Sequence, residues 1–439
     1  MSEVLINSFA ARGQTLGDSI ASLVDVLATR LLRPSVSRRR GAKRLTLVHF
    51  GDYAEAYWRF KNGGPETYFA QKYTMDFIAS LVSNRVVDSV SSVSLSANLD
   101  GVTLPNGVHT LGVELYPEGQ RSRHRQLVEA VRQTNPTHLI VTSPSIPLIS
   151  WGVRSQIPVL PMFADSFRDS GIRTKAKSCL LALLLNSSAI EIVANHNLAA
   201  SLDLRRIGVD PAKIVPFDWP ALISPRSYHP KTAPSLSETF RLLYVGSLIE
   251  SKGVGDAIRA LSKLRKAGRN VQLTIIGQGE LKRFEELSAR ETVQQHVLFL
   301  GARSHDEVIL AMRNHHAVLV PSHWSYPEGL PMTLYEALCT RTPLVTSNHP
   351  MFALKIRDLD NALVFPERDI DAFAERIDRL MSSPDLYSGL SQASERAADG
   401  YLCPLKYDRL ISAFLDPLER VELLKYSLSD YDYRLSALE

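Results

Sequence analysis

The stretch SHWSYPEGLPMTLYEALCTRTPLVTS, Ser322 to Ser347, holds two carboxylates, Glu328 and Glu336, with seven residues between them. The preceding AVLVPS reads as a strand, so Glu328 falls in the loop at its carboxyl end. Pro331 suits the first turn of a helix running through MTLYEALCT. Glu336 then rises from a mostly apolar helix, where an ionised carboxylate needs a partner. A vicinal diol is such a partner, because one carboxylate accepts from two hydroxyls, as acidic residues do on ribose in dinucleotide sites. In this chemistry Glu336 holds a ribose and Glu328 holds hydroxyls of a group being transferred. The backbone from Gly329 through Leu330 and Pro331 to Met332 faces a diphosphate or a sugar edge. Two plainer readings stand beside it: Glu328 only adds first-turn charge, and Glu336 pairs with a lysine or arginine.

YVGSLIESKGVGDAIRAL puts Gly246 at the end of a strand and Lys252 and Gly253 at the start of a helix. Small residues there let backbone N–H groups approach an anion, and a helix amino end adds positive potential. Lys252 is then either a point charge for a phosphate or a solvent-exposed lysine near a helix start. IIGQGE repeats the device at Gly277 and Gly279, and Gly63-Gly64 in FKNGGPET is its counterpart nearer the amino end. Each is readable as a tight turn; together they suggest ligand phosphate and hydroxyls approached by backbone from both sides of a cleft. The spacing is neither GxGxxG nor GxxxxGK[ST], which disfavours a dinucleotide fingerprint and a P-loop ATPase.

Bringing these groups together requires parallel strands whose carboxyl ends share a rim. RLTLVHFGD, HLIVTS (138–143), PVLPMF (158–163) and AIEIVANH (189–196) read as strands, separated by helical patterns such as RHRQLVEAVRQT and NLAASLDLRRIG. Pro65 and Glu66 suit the start of a helix. CLLALLLNSSAIEIVANH reads as a buried helix leading into a buried strand. Pro216, Pro220, Pro225, Pro230 and Pro234 then interrupt the periodicity and mark a linker. RLLYVGS, NVQLTIIGQGE, HVLFLG, AVLVPS, PLVTS and ALVFP are the strands of a second, more legible α/β unit. The expected fold class is α/β, two Rossmann-like domains with parallel sheets facing across a cleft. The expected boundaries are an amphipathic and basic extension at 1–43, a domain at 44–220, a Pro-rich linker at 221–236, a domain at 237–400, and a helical segment at 401–439 that crosses back.

At 439 residues the chain suits two domains, and 45% hydrophobic with 22% charged residues is an ordinary globular composition. A formal charge of +4 points to no particular partner. Cys179, Cys339 and Cys403 form neither a CxxC pair nor a disulfide framework, which favours a reducing compartment. No secretory leader is visible, and no stretch reaches the length of a spanning helix. SIASLVDVLATRLLRPSVSRRRGAKR runs an amphipathic pattern into Arg30, Arg33, Arg38, Arg39, Arg40, Lys43 and Arg44. It reads either as a packed helix with a solvated basic linker or as a peripheral contact with anionic lipid. Basic residues elsewhere are dispersed and lack aromatic interleaving, which argues against nucleic acid.

The chain resembles the retaining glycosyltransferases of GT-B fold, group 1 or family 4 (GT4) type. The resemblance rests on EGLPMTLYE, the family's Glu-seven-Glu motif, with YVGSLIESKG, LTIIGQGE and VLFLGARSHDEV. It is strongest over about residues 240–385, looser over 44–220, and absent over 1–43. It implies a nucleotide-sugar donor held mainly by the second domain, with Glu336 on ribose, Glu328 on the transferred sugar and Lys252 on the diphosphate. The base would lie against the turns around Gly277 and the segment beginning at Gly301, and Gly63, Gly64 and Glu66 would approach the phosphate or acceptor.

Two positions depart from the family pattern. Ser247 stands where an arginine commonly completes a phosphate clamp, so another basic residue must replace it or the leaving group is held less strongly. Ala164 stands where a histidine is common, and the neighbouring Asp165 is the candidate to take over its contact. No metal signature is present and no obligatory cofactor is implied; a UDP-sugar donor is favoured over a GDP-sugar. The acceptor class implied is a glycan or glycolipid of surface polysaccharide synthesis, and the expected location is the cytoplasm, including the inner face of the membrane. The competing classes are a noncatalytic interaction protein or inactive paralogue on the same scaffold, and a nucleotide-sugar hydrolase or epimerase.

Overall fold

The computed structural model describes residues 42–67, 70–95, 97, 99–114, 121–167, 171–326, 328–329 and 331–432. The amino-terminal amphipathic and basic extension, save its last two residues, and Leu330 lie outside the described residues.

Each half of the chain is organised around a strand of branched apolar residues. Arg44–His49 (β1) is buried along LTLV and sits inside a sheet with β2 (Ser89–Ser94), β3 (Leu99–Thr103), β4 (Val108–Gly112), β5 (His138–Val141), β6 (Val159–Phe163), β7 (Val193–His196) and β8 (Ile214–Phe217). The order is β3-β4-β2-β1-β5-β6-β7-β8, parallel throughout except for β3 against β4. The second sheet takes β9 (Phe240–Val245), β10 (Val271–Ile276), β11 (Val297–Gly301), β12 (Ala317–Val320), β13 (Leu344–Ser347) and β14 (Leu363–Phe365) in the order β11-β10-β9-β12-β13-β14, all parallel. That is the doubly wound order, and its direction reverses between β9 and β12. A crevice therefore opens beyond the carboxyl ends of those two strands, where open α/β sheets bind ligands. The expected fold class of two Rossmann-like units is the one observed.

Several local expectations differ from the structure. β2, SVSSVS, escapes an apolar-run criterion because its buried positions include serines. β8 lies inside the proline-rich stretch; as the last strand of its sheet it tolerates Pro216, which has no N–H to give a further neighbour. Pro65 and Glu66 do not start a helix. Helix Tyr53–Lys61 closes just before Gly63 and Gly64, and the next helix begins at Gln71. Gly64 N donates to Arg59 O at 2.8 Å and Gly63 N to Phe60 O at 3.1 Å, so this glycine pair ends a helix. Helix Ile172–Leu185 is only half buried, with Ile172 and Leu180 facing solvent.

After helix Pro384–Asp399 the chain returns to the first unit. Helix Tyr407–Leu415 packs Leu410, Ile411 and Phe414 into the same core as Leu45 and Leu47 of β1. Asp218 N donates to Leu405 O at 3.0 Å and Tyr407 N to Asp218 O at 3.0 Å, joining the outgoing and returning crossovers.

The loops at the second crevice are stitched together by buried polar contacts. His323, after β12, places Nε2 2.7 Å from Asp256 Oδ2 on helix Val254–Lys266, and its N–H donates to Ser251 O at 2.9 Å. Gly253 makes this approach feasible. It has φ +76, and a Cβ there would lie 2.1 Å from Pro321 O. Gly268 has a similar φ of +79 but open space around it. Gly253→Ala is expected to cost at least about 2 kcal/mol, against about 1 kcal/mol for Gly268→Ala, in urea unfolding. Equal losses would show that the backbone conformation, and not the approach to Pro321, sets the cost.

Candidate functional site

Strand ends from both sheets surround a cavity of about 470 Å³. Its floor on the second unit begins after β9 and β10, where backbones converge. Gly246 N donates to Ile276 O at 3.0 Å and Gly277 N to Gly301 O at 2.9 Å. A Cβ on Gly277 would lie 1.8 Å from Gly246 O, so only glycine permits the contact. Gly246, Ser247 and Gly277 line the cavity.

Lys252 ends the short 3₁₀ turn after β9, and Glu328 follows β12, so the switch between these strands brings them together. Lys252 Nζ donates to Glu328 Oε1 at 2.6 Å, and Ser322 Oγ donates to the same oxygen at 2.7 Å. The ammonium also stands over the Tyr326 ring, 4.2 Å from its centroid. Both charges are largely buried, and each would be costly without the other. Glu328 therefore does more than add first-turn charge.

Glu336 projects from helix Met332–Cys339 and is 5% exposed. Its partner is neither lysine nor arginine: Oε1 lies 3.0 Å from His305 Nε2. His305 opens helix His305–Asn314, which starts at a Ser304–Glu307 capping box, so its position is set by good local helix chemistry. The hydrogen bond to Glu336 lifts the imidazole above its usual 6.5, while burial works the other way. Burial lifts the Glu336 carboxyl, and the His305 bond opposes it. Glu66, from the first unit, raises both groups electrostatically, so the cavity spans the two sheets.

Among the residues expected to form a site, Lys252, Glu328, Glu336, Gly246, Ser247, Gly277 and Pro331 share this one cavity. Others have different places. Gly279 is where β10's extension meets Leu248, and a Cβ there would lie 2.4 Å from Leu248 O. Gly301 lends its carbonyl to Gly277 and otherwise faces open space. Gly63 and Gly64 cap a helix, while Glu66 and Thr67 just beyond them reach the cavity. Gly329 packs toward the first unit, with Ala164 O and His196 Nδ1 each 3.3 Å from where its Cβ would stand. Asp165 is outside the lining; burial raises its carboxyl to about 6. Leu330 lies outside the described residues.

The structure adds His305, Arg303, His196 and Trp219 to the lining. Arg303 is the arginine of that lining, on a wall that lacks one at Ser247. The available signal for His196 and Arg303 was positional: each stands at or just beyond the carboxyl end of a parallel strand, β7 or β11.

Residues 229–397 match the family described as Glycosyl transferases group 1. The chain is 31% identical over 186 residues to glycogen synthase from Mycobacterium tuberculosis (strain ATCC 25618 / H37Rv), covering 42% of this chain and 41% of that protein. It is 30% identical over 162 residues to the amylovoran biosynthesis glycosyltransferase AmsK of Erwinia amylovora, covering 36% and 40%. The chain thus spans about two fifths of the length of the curated relatives it matches. Solved structures of similar fold include sucrose-phosphate synthase from Thermosynechococcus elongatus, with a TM-score of 0.62 at 15% identity over 87% of this chain and 98% of that one. Anabaena HepE in complex with UDP-glucose gives 0.58 at 13% identity over 87% and 99%.

The His305–Glu336 pair has a signed pH consequence. A raised folded pKa means that the stabilisation from His305 is fully present below its unfolded value near 6.5 and is lost as pH rises through the higher folded value. In Glu336→Gln, His305 is expected to titrate below its wild-type value when its ring protons are followed by NMR. An unchanged titration would remove Glu336 as the cause.

Proposed function

We propose, from the match of residues 229–397 to the Glycosyl transferases group 1 family and from the GT-B fold, that the chain moves a sugar from a nucleotide-diphosphate sugar to an acceptor hydroxyl with retention of configuration. The observation that carries this is the pair of buried carboxylates on one cavity, each held by a different internal partner. Glu336 Oε1 faces His305, and a carboxylate accepts at both oxygens, so the ribose diol of a donor is bound by a group already anchored. Lys252 neutralises charge on the diphosphate, and Glu328, exchanging its lysine partner for the ligand, accepts from hydroxyls of the transferred sugar. Met332 and Thr333, in the first turn of helix Met332–Cys339, present that helix's positive end to the cavity. Arg303 supplies the second cation that Ser247 does not.

In the transfer the acceptor oxygen bonds to the anomeric carbon as the bond from that carbon to the diphosphate oxygen breaks. The acceptor proton passes to the departing phosphate on the same face, while Lys252 stabilises the growing charge. A double displacement would need a carboxylate on the opposite face. Asp165, the candidate for it, stands outside the cavity lining, which favours the front-face course. The family requires no metal in this reading, and the donor is read as a UDP-sugar, which is supported by HepE having been solved with UDP-glucose. A surface polysaccharide or glycolipid acceptor is supported by AmsK's part in amylovoran biosynthesis. Among the described residues no helix is long and apolar enough to cross a membrane; action at the cytoplasmic face of one is part of the proposal.

Titration calorimetry with UDP and UDP-glucose tests the assignment. The wild type is expected to bind both, and Glu336→Ala to weaken both at least about tenfold. Lys252→Ala is expected to lower turnover about 10²- to 10³-fold, read as UDP released in the presence of acceptor. Undiminished UDP binding by Glu336→Ala would sink the ribose role, and equal UDP release without acceptor would favour a hydrolase.

A further inference from the structure

Beside the cavity, the rim of the second sheet carries an exposed indole that is held in place by its neighbours. Trp324 lies in the loop after β12 and is 54% exposed. Its Nε1–H donates to Asn348 O at 3.2 Å and to Asn348 Oδ1 at 3.1 Å, and its backbone N–H donates to Glu367 Oε2 at 2.6 Å. Asn348 directly follows β13 and Glu367 stands just past β14, so Trp324 ties three strand-end loops together. Glu367 N closes the set by donating to Asn348 Oδ1 at 2.9 Å. A single exposed apolar side chain is ordinary. A ring whose polar atom is tied down while its face stays in water is a fixed surface.

The groups at the edge of the ring complete that surface. Asn348 Oδ1 accepts from two N–H groups, which fixes the orientation of the amide and leaves Nδ2 without a partner among the described residues. Glu367 accepts the Trp324 N–H through Oε2, and its Oε1 accepts from no described residue. An apolar face with a donor and an acceptor at its edge matches a pyranose ring, which has a face of C–H groups and hydroxyls around its rim. Arg368 Nε lies 4.0 Å from Glu367 Oε2, so guanidinium and carboxylate offset each other and leave no basic cluster to draw an anionic lipid surface.

The same loop leads into the cavity. Tyr326, which lines it under the Lys252 ammonium, is two residues further on, at most about 7 Å along the chain. His323 on Asp256, and Ser347 Oγ donating to Ser322 O at 2.6 Å, hold this loop against its neighbours. The contacts that place Glu328 therefore also place the indole.

We propose that Trp324, with Asn348 and Glu367, is a stacking platform for a sugar unit of the acceptor beyond the one that reacts, so that the acceptor is an oligosaccharide chain and not a monosaccharide. The proposal rests on the transferase reading above and extends it by placing part of acceptor recognition on the second unit.

An array of immobilised linear hexose oligosaccharides, with the matching monosaccharides, tests the platform on the full chain. The wild type is expected to be retained by oligosaccharides and not by monosaccharides. Trp324→Ala is expected to lower retention about tenfold, with UDP affinity by calorimetry unchanged, and Trp324→Phe, which keeps an aromatic face, to recover part of it. No retention of the wild type by any oligosaccharide, or equal retention of Trp324→Ala, would overturn the platform. A loss in Trp324→Ala confined to binding of phosphatidylglycerol vesicles would overturn it as well, by assigning the ring to a membrane. Should the wild type fail to bind UDP while its retention on the array still depends on Trp324, the donor assignment falls and the glycan platform stands.

Discussion

An ionised carboxylate inside an apolar wall must be compensated, and two of them, Glu328 and Glu336, fix much of what surrounds the cavity. Compensating Glu328 takes Lys252 from the strand-end turn after β9 and Ser322 from that after β12. Those turns hold register only because Gly253 lets Pro321 approach and His323 docks on Asp256. Compensating Glu336 takes His305, whose position depends on a capped helix in a separate part of the sheet. The parallel order, with its reversal between β9 and β12, is what makes the meeting feasible: neighbouring loops diverge there and leave room for the charges and for what they bind.

The two pairs differ in what they offer a ligand. Lys252–Glu328 is an internal bridge in which each charge satisfies the other, so an anionic ligand that claims the ammonium frees the carboxylate for hydroxyls. In the proposed donor complex, binding at one end of a nucleotide sugar is thereby coupled to binding at the other. His305–Glu336 leaves one carboxylate oxygen unbridged by the imidazole, so its ligand is added and not exchanged. An exchanged pair contributes less net affinity than an added one, because a good interaction is given up to make another. Under the proposed assignment, ribose recognition at Glu336 provides the firmer anchor, and Glu328 the discrimination.

Much of the second unit was legible because its strands are continuous apolar runs and its glycines follow them, from YVGS to IIGQGE. Glu328, Lys252 and Glu336 were legible as chemistry because polar residues stand where the pattern demands apolar ones. Period and propensity act locally, and they failed where the determining contact was distant. β2 is a strand because its serines are buried between β1 and β4, not because serine favours strands. β8 survives Pro216 because nothing pairs beyond it. Gly279 and Gly301 looked like ligand-facing turns, yet the contacts that use them are with Leu248 and Gly277. His305 became a partner of Glu336 only through a sequence separation of 31 residues.

The same reasoning separates the two units as parts of a site. On the second unit every carboxylate at the cavity already has a partner, so the site there is preorganised for charge. On the first unit, Asn195 Oδ1 and Asn197 Nδ2 at the end of β7 are buried without a hydrogen-bond partner among the described residues, and Asn197 is held in an unfavourable backbone conformation. A fold retains unpaired buried dipoles only against a cost, and that cost is recovered on binding if the ligand supplies the missing partners. The diphosphate and ribose are common to many donors, and the sugar ring distinguishes them. In the proposed site Glu336, on the common ribose, and Glu328, on the distinguishing sugar, both belong to the second unit.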